Sequence, residues 1–234
     1  MIDGESNKIH ERYMRRQERG VENRYAHLLP VNMLFYQERD RLCAAFLHEK
    51  FDDKLQELQI LEVGCGRGDN LLRLLLWGAK AENLYGNDLF SSSLEVAATR
   101  LPPSVTLYEG DAAMLEIQNG SFDLILHFTV FSSILDEEKR AQVAGRVWDL
   151  LKPSGAILSY DFTVNNPTNR DVRKVTLNDL KRYYPDGIFR MTKRLTLAPP
   201  LARRIVALSP KLYPLFNTLH LFRTHILCLI EKPA

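Results

Sequence analysis

Three glycines at alternate positions, Gly64, Gly66 and Gly68, stand between two acids, Glu62 and Asp69, at the end of the apolar run Ile60-Leu61-Glu62-Val63. The pattern reads as a buried strand feeding a tight turn and then a helix, with Leu71, Leu72, Leu74 and Leu75 as the apolar face of that helix. Glycine lacks a Cβ, so the turn lets a ligand lie against the backbone, and a nucleotide-like cofactor suits that space. The spacing is G-x-G-x-G, not the G-x-G-x-x-G whose third glycine serves helix packing beside a pyrophosphate. Two flanking carboxylates repel a pyrophosphate and favour a ligand that carries positive charge.

Further acids follow at strand ends. Asn83 to Phe90 reads as a second strand closing on Asp88, 24 residues beyond Gly64, where a carboxylate can accept both ribose hydroxyl protons. Val105 to Ala112 repeats the form and closes on Asp111, placed to accept a proton from an adenine amino group. Ser121 to Phe128 reads as a buried fourth strand. A Pro153-Ser154-Gly155 turn then separates a helix from a fifth strand at Ala156 to Phe162.

Taken in order, Glu62-x-Gly64-x-Gly66-x-Gly68, Asp88-Leu89, Gly110-Asp111-Ala112, Phe122-Asp123 and Leu151-Lys152-Pro153-Ser154-Gly155 resemble the motifs of class I S-adenosylmethionine-dependent methyltransferases, over roughly residues 57–162. The resemblance implies an α/β fold: a Rossmann-like seven-stranded sheet, mostly parallel with an antiparallel last strand, and helices on both faces. It implies S-adenosyl-L-methionine as cofactor. Glu62, Gly64, Gly66 and Gly68 would take its methionine end, Asp88 its ribose, and Asp111 with Ala112 its adenine, with Leu89 and Phe128 completing the cofactor contacts. Relatives often carry paired histidines after the fourth strand, where this chain has Val130-Phe131-Ser132-Ser133. Acceptor chemistry therefore does not transfer.

The 234 residues, 45% hydrophobic, suit one domain of ordinary size. A net charge of +2 gives no overall field for nucleic acid, and the Asn/Asp-Pro-Pro-Tyr motif of amino-group DNA methyltransferases is missing. Cys43, Cys65 and Cys228 are few, odd in number and far apart, which argues against a disulfide framework or a metal site. The polar, acidic start is unlike a signal peptide and no apolar run reaches membrane-spanning length, so a cytoplasmic protein is expected.

Residues 1–50 precede the motifs. Lys8 to Arg24 reads as a solvated helix, with Glu11 and Arg15 at i,i+4 spacing, and a second helix after Pro30 would run through Leu34, Phe35, Leu42 and Phe46. These helices either pack on the sheet or form a lid in which Tyr13, Arg15, Arg16 and Tyr25 cover the cofactor and meet an acceptor. Residues 51–234 would then be the methyltransferase domain. Near its end a helix at Leu177 to Tyr184, a strand at Ile188 to Leu197 and a last strand at Leu221 to Glu231 are expected, with a helical insertion at about 199–220. The apolar residues of that insertion can pack the core, form a homodimer contact, wall an acceptor pocket or touch a membrane surface.

Methyl transfer from a sulfonium is an in-line displacement, so a nucleophile must be aligned and its proton removed. His127, at the end of the fourth strand, has the ordinary pKa of a general base, and Asp161, ending the fifth, is the second candidate. His127 can equally be a packing residue. The sequence thus points to a methyltransferase acting on a small molecule, with a hydroxyl on a sugar, glycan precursor or natural product as acceptor, and an anionic acceptor suited to the N-terminal arginines. A non-catalytic cofactor-binding or scaffold subunit is the alternative, and a nicotinamide oxidoreductase the next.

Overall fold

Runs of Ile, Leu and Val that end in an acid set the strands here, and helices with one apolar face cover them. A computed structural model describes residues 4–18, 26–165 and 169–234, apart from the side chains of residues 16–18. Seven strands form one sheet: β1 (Ile60–Val63), β2 (Leu84–Asp88), β3 (Thr106–Glu109), β4 (Phe122–Phe128), β5 (Leu151–Phe162), β6 (Ile188–Leu197) and β7 (Arg223–Glu231). Their spatial order is β3-β2-β1-β4-β5-β7-β6. β1 to β5 pair in parallel and β7 runs antiparallel to both β5 and β6, as the expected Rossmann-like fold requires. Strand order reverses between β1 and β4, and at such a switch point the carboxyl ends open into a crevice.

The helices are α1 (Gly4–Glu18), α2 (Pro30–Phe51), α3 (Asp69–Leu76), α4 (Ser91–Arg100), α5 (Glu137–Leu150), α6 (Leu177–Tyr183), α7 (Pro199–Leu208) and α8 (Leu212–Asn217). Local chemistry fixes several starts. Pro30 opens α2, where its missing N–H costs nothing. The Asp136 carboxylate accepts the Lys139 N–H at the start of α5, and Thr176 and Asp179 cap α6 reciprocally. Side chains alternate across the strands. Ile60, Leu124 and Leu126 face the layer holding Phe46, Leu47, Leu71 and Leu94, whereas Leu61, Val63 and Ile125 face Val143, Val147 and Leu180. Among the described residues no helix is long and apolar enough to cross a membrane.

The N-terminal fifty residues divide in two. α2 buries Cys43, Phe46 and Leu47 in the core, and its Glu38 carboxylate accepts hydrogen bonds from Thr196 N, Tyr213 Oη and Asn217 Nδ2 at 3.1, 2.9 and 2.7 Å. It is therefore built into the domain. α1 instead lies across the carboxyl edge of the sheet, and the rest of the expected first helix, residues 19–24, falls outside the described residues, as do Tyr25 and the Arg16 side chain. Arg15 reaches Asp171 at 3.3 Å.

Two boundaries differ from the expected ones. The Pro153-Ser154-Gly155 segment does not separate α5 from its strand: β5 begins at Leu151, pairs with Phe122, and then bulges before resuming at Ala156 opposite Leu124. Ser154 sits at φ +62° in that bulge and its N–H meets Lys232 O at 3.1 Å, tying the chain's end to the sheet. β7 starts at Arg223 because residues 220–222 form a 3₁₀ turn instead of pairing.

Gly86 in β2 is closely packed between the loop after β1, β3 and α3. A Cβ there would stand 2.8 Å from Cys65 Sγ, 2.9 Å from Leu107 and 3.0 Å from Leu71. Gly86→Ala is expected to cost about 1–3 kcal/mol by overpacking. A urea titration should show a lower midpoint at unchanged slope; an unchanged midpoint would mean that the layer yields without cost.

Candidate active site

Past Val63 the chain turns at once. The Cys65 N–H bonds Asn87 O at 2.9 Å and the Gly66 N–H bonds Asp88 Oδ2 at 2.8 Å, so the loop is stitched to the end of β2. The three glycines divide the work. Gly66, at φ +52°, has open space where a Cβ would stand, so a side chain there would project into the crevice. Gly68, at φ +79°, caps α3 and would place a Cβ 2.8 Å from Leu101 Cδ1, so it serves helix packing. At Gly64 the approach of Val130 Cγ2, 2.7 Å from the Cβ position, closes the loop against the end of β4.

These ends frame a cavity of about 320 Å³. Seven expected site residues line it: Gly64, Gly66, Asp88, Leu89, Asp111, Ala112 and Phe128. Ser6, Ile9, Arg12 and Tyr13 of α1 form its cover, with Phe90, Thr129, Val130, Lys139 and Asp171 completing the wall. Tyr13 stacks on Phe90 with ring centroids 4.6 Å apart, and Arg12 bonds Ser133 O at 3.2 Å. Glu62, Gly68, His127 and Asp161 are not among the lining residues.

The two lining acids have distinct settings. Asp88 Oδ2 accepts the Gly66 N–H and Oδ1 the Phe90 N–H at 3.0 Å, while burial raises its pKa above the ordinary value. Asp111 Oδ1 accepts the Ala113 N–H at 2.9 Å, Oδ2 accepts the Ser6 hydroxyl at 3.0 Å, and Lys139 forms an ion pair with it. The acid expected to read adenine is thus held by the cover and by α5.

A buried acid and a buried guanidinium adjoin the glycine loop. Asn70 donates to Glu62 Oε1 at 2.5 Å and accepts from Arg39 Nη2 at 2.9 Å. Arg39 lies 5.1 Å from the centre of the Phe128 ring, which lines the cavity. Glu62 Oε2 and Arg39 Nε are buried with no hydrogen-bond partner among the described residues. Such an orphaned carboxylate oxygen and guanidinium N–H match the ammonium and carboxylate of an amino-acid moiety, so the residues fit the methionine end of S-adenosylmethionine. Burial raises the Glu62 pKa to about 8 against the opposing pull of Asn70 and Arg39.

The two candidate bases take other places. His127 is 1% exposed, points to the α5/α6 layer, lies 3.2 Å from the Tyr184 hydroxyl and 4.7 Å from the centre of the Phe131 ring. Burial lowers its pKa to about 3, so it is a neutral core residue beneath the site and not a base within reach of an acceptor. Asp161, also 1% exposed, accepts the Ser132 N–H at 3.1 Å and the Phe162 N–H at 2.9 Å, and burial raises its pKa to about 6. It positions the Phe131–Ser133 turn that carries the cavity's rim.

Several wall residues escaped the sequence reading. Asn87 Nδ2 donates to Tyr108 O and Gly110 O at 3.1 and 2.9 Å and so sets the loop after β3; its place beside Asp88 was the available signal. Ser6, Arg39 and Lys139 reach the site from helices remote in sequence, where no local pattern marks them. Thr129 takes φ +57°, uncommon for a β-branched residue, at the end of β4 where a wall must turn sharply.

Comparison with known proteins agrees with this geometry. Residues 60–155 match the family described as a methyltransferase domain. An uncharacterized methyltransferase of Bacillus cereus is 30% identical over 135 residues, 53% of this chain and 61% of that protein. A fungal O-methyltransferase is 30% identical over 126 residues, 47% of this chain and 42% of its own length. The chain therefore spans less than two thirds of these relatives. Burkholderia thailandensis 1,6-didemethyltoxoflavin-N1-methyltransferase, whose structure holds its substrate and S-adenosylhomocysteine, superposes with a TM-score of 0.60 at 17% identity, covering 91% of this chain and 90% of that one, and shares the fold.

The protonation of Glu62 is open to measurement. Its folded pKa of about 8 lies above the ordinary 4.5, so its contribution to stability is full below about pH 4.5 and is lost as pH rises through 8. Glu62→Gln should flatten that decline in the ligand-free protein. An ammonium bound beside Glu62 would restore its charge, so binding near pH 7 should release a proton. Calorimetry in buffers of different ionisation enthalpy should detect the release in the wild type and not in the Gln variant. Identical buffer dependence in both would remove Glu62 from contact with the ligand.

Proposed function

We propose that the chain is a class I S-adenosylmethionine-dependent methyltransferase that transfers a methyl group to a hydroxyl of a small-molecule acceptor, a reading supported by the methyltransferase-domain match and by the methyltransferase relatives. One observation supports the reading: one cavity is walled by the glycine loop, by Asp88 and by Asp111, the three points that would take methionine, ribose and adenine, and is roofed by α1. Glu62 and Arg39 would take the amino-acid end, Asp88 the ribose, and Asp111 with Ala112 the adenine. When bound, the cofactor supplies an electrophilic methyl on a sulfonium.

The chain's own task is to align, to exclude water and to dispose of a proton. Ile9, Tyr13, Phe90, Ile134 and Val143 give the cavity apolar wall, which suits the carbon skeleton of a natural product or the apolar face of a sugar. Methylation of a hydroxyl would release its proton, which the chain must accept or pass to water. Asp171, a lining carboxylate paired with Arg15 at 3.3 Å and assigned to neither ribose nor adenine, would be the group to receive it. The fungal O-methyltransferase relative supports an oxygen acceptor. Arg12 and Arg15 are paired with Glu5 and Asp171, so they lend no weight to an anionic acceptor while α1 is seated.

α1 then acts as a lid. Its Ser6 and Arg12 bonds and the Tyr13–Phe90 stack must part for a cofactor to enter, and their return would shut out water.

Calorimetry with S-adenosylhomocysteine tests the cofactor assignment. Gly66→Val fills the open space, and Asp88→Ala removes the ribose acceptor at roughly 1–3 kcal/mol, so each should weaken binding at least about tenfold. Wild-type affinity in both would sink it. Turnover is read as S-adenosylhomocysteine formed with a panel of sugars, glycan precursors and phenolic scaffolds. Binding without turnover on any of them would favour the scaffold alternative.

Removal of residues 1–28 leaves α2 in place and should keep the cofactor site, speed cofactor exchange and suppress turnover. Full activity in the truncated protein would reduce α1 to packing.

A further inference from the structure

The connection from β6 to β7 is far longer than a hairpin needs, and only one of its sides is used by the fold. Its inner side is anchored: Ala202, Ile205, Val206 and Tyr213 pack with Val31 and Leu197, and Tyr213 and Asn217 donate to the buried Glu38 carboxylate. The outer side displays Leu208, Leu215, Leu219, Leu221 and Phe222, with Leu208 and Leu221 82% and 85% exposed. Five large apolar side chains exposed within fifteen residues exceed what a monomer's surface scatters at random.

The charge around them has one sign. Residues 198–222, the insertion with its flanking turn, contain Arg203, Arg204 and Lys211 and no Asp or Glu. Arg204 and Lys211 are exposed within the insertion itself. Apolar side chains at helix ends and in a turn, with basic residues among them, match the boundary of an anionic lipid bilayer, where leucine and phenylalanine enter the acyl region and lysine and arginine meet phosphates. A second copy fits poorly, because pairing this face with itself opposes two +3 segments. We propose that the α7–α8 insertion docks the protein on an anionic membrane surface. The docking stands apart from the methyltransferase reading, and the failure of either leaves the other intact.

Co-sedimentation of the full chain with vesicles tests it. Vesicles of phosphatidylcholine and phosphatidylglycerol at about 3:1 should bind the protein, and pure phosphatidylcholine should bind it at least about tenfold less. Raising salt from about 0.1 to about 0.5 M should release most of it by screening. Leu208→Asp with Leu221→Asp, and separately Arg204→Glu with Lys211→Glu, should each lower binding at least about tenfold while circular dichroism and Tm stay at wild-type values, since these side chains lie outside the core. Equal binding to both vesicle types, no binding to either, or unchanged binding in both double variants would overturn the proposal. So would a dimer in analytical ultracentrifugation that the double Asp variant dissociates, which would assign the face to a second copy.

Discussion

The Asp88 carboxylate is the point on which the site turns. One oxygen holds the Gly66 N–H and the other the Phe90 N–H, so the end of β2 fixes the loop after β1 and the entry to α4 together. A buried carboxylate with two backbone donors is a stable arrangement, since each bond offsets part of the desolvation that raises its pKa. It also leaves lone pairs directed at the crevice. The acid that shapes the site is thus the one expected to read the ribose, and loss of its carboxylate would disturb loop and ligand alike.

A second set of buried polar groups holds the rim from below. Asp161 takes the Ser132 N–H, and Thr129 O accepts the hydroxyls of Ser132 and Ser133, so the turn after β4 is fixed without a histidine pair. His127 packs among Phe131 and Tyr184 beneath that turn. Glu38 does the same for the C-terminal insertion, gathering donors from β6 and α8 onto α2. In a low-dielectric interior such bonds are costly to break, which holds the walls of the cavity in place.

The roof is polar where it touches the acids. Ser6 and Lys139 meet Asp111, and the Arg12–Glu5 pair bridges α1 to Ser133 O and the Leu135 N–H. Ser6, Arg12 and Lys139 are themselves buried, so the roof is seated on desolvated polar contacts and not on surface ion pairs. For α1 to act as the proposed lid, its Ser6 and Arg12 bonds would have to part and re-form. Apolar contacts of Ile9 with the α5/α6 layer add to the seat.

How much of this was legible in the sequence follows from range. Strand ends, the glycine turn and the acids at Asp88 and Asp111 are local patterns, because a buried parallel strand demands a continuous apolar run and the crevice begins where that run stops. The seven-stranded order and the positions of Gly64, Gly66, Leu89, Ala112 and Phe128 along the cavity came with them. What the sequence left open was which face each strand-end residue takes. His127 and Asp161 stand at the right ends of β4 and β5, yet the period-two alternation turns His127 into the core, and the β4 loop captures Asp161 for its own N–H. The partners of Glu62, Asp111 and Glu38 arrive from helices 20 to 180 residues away, at Arg39, Ser6 and Asn217, and only packing of those helices on the sheet brings them there. Local periodicity determines where a strand ends; the long-range layering of helices decides which side chains meet at that end.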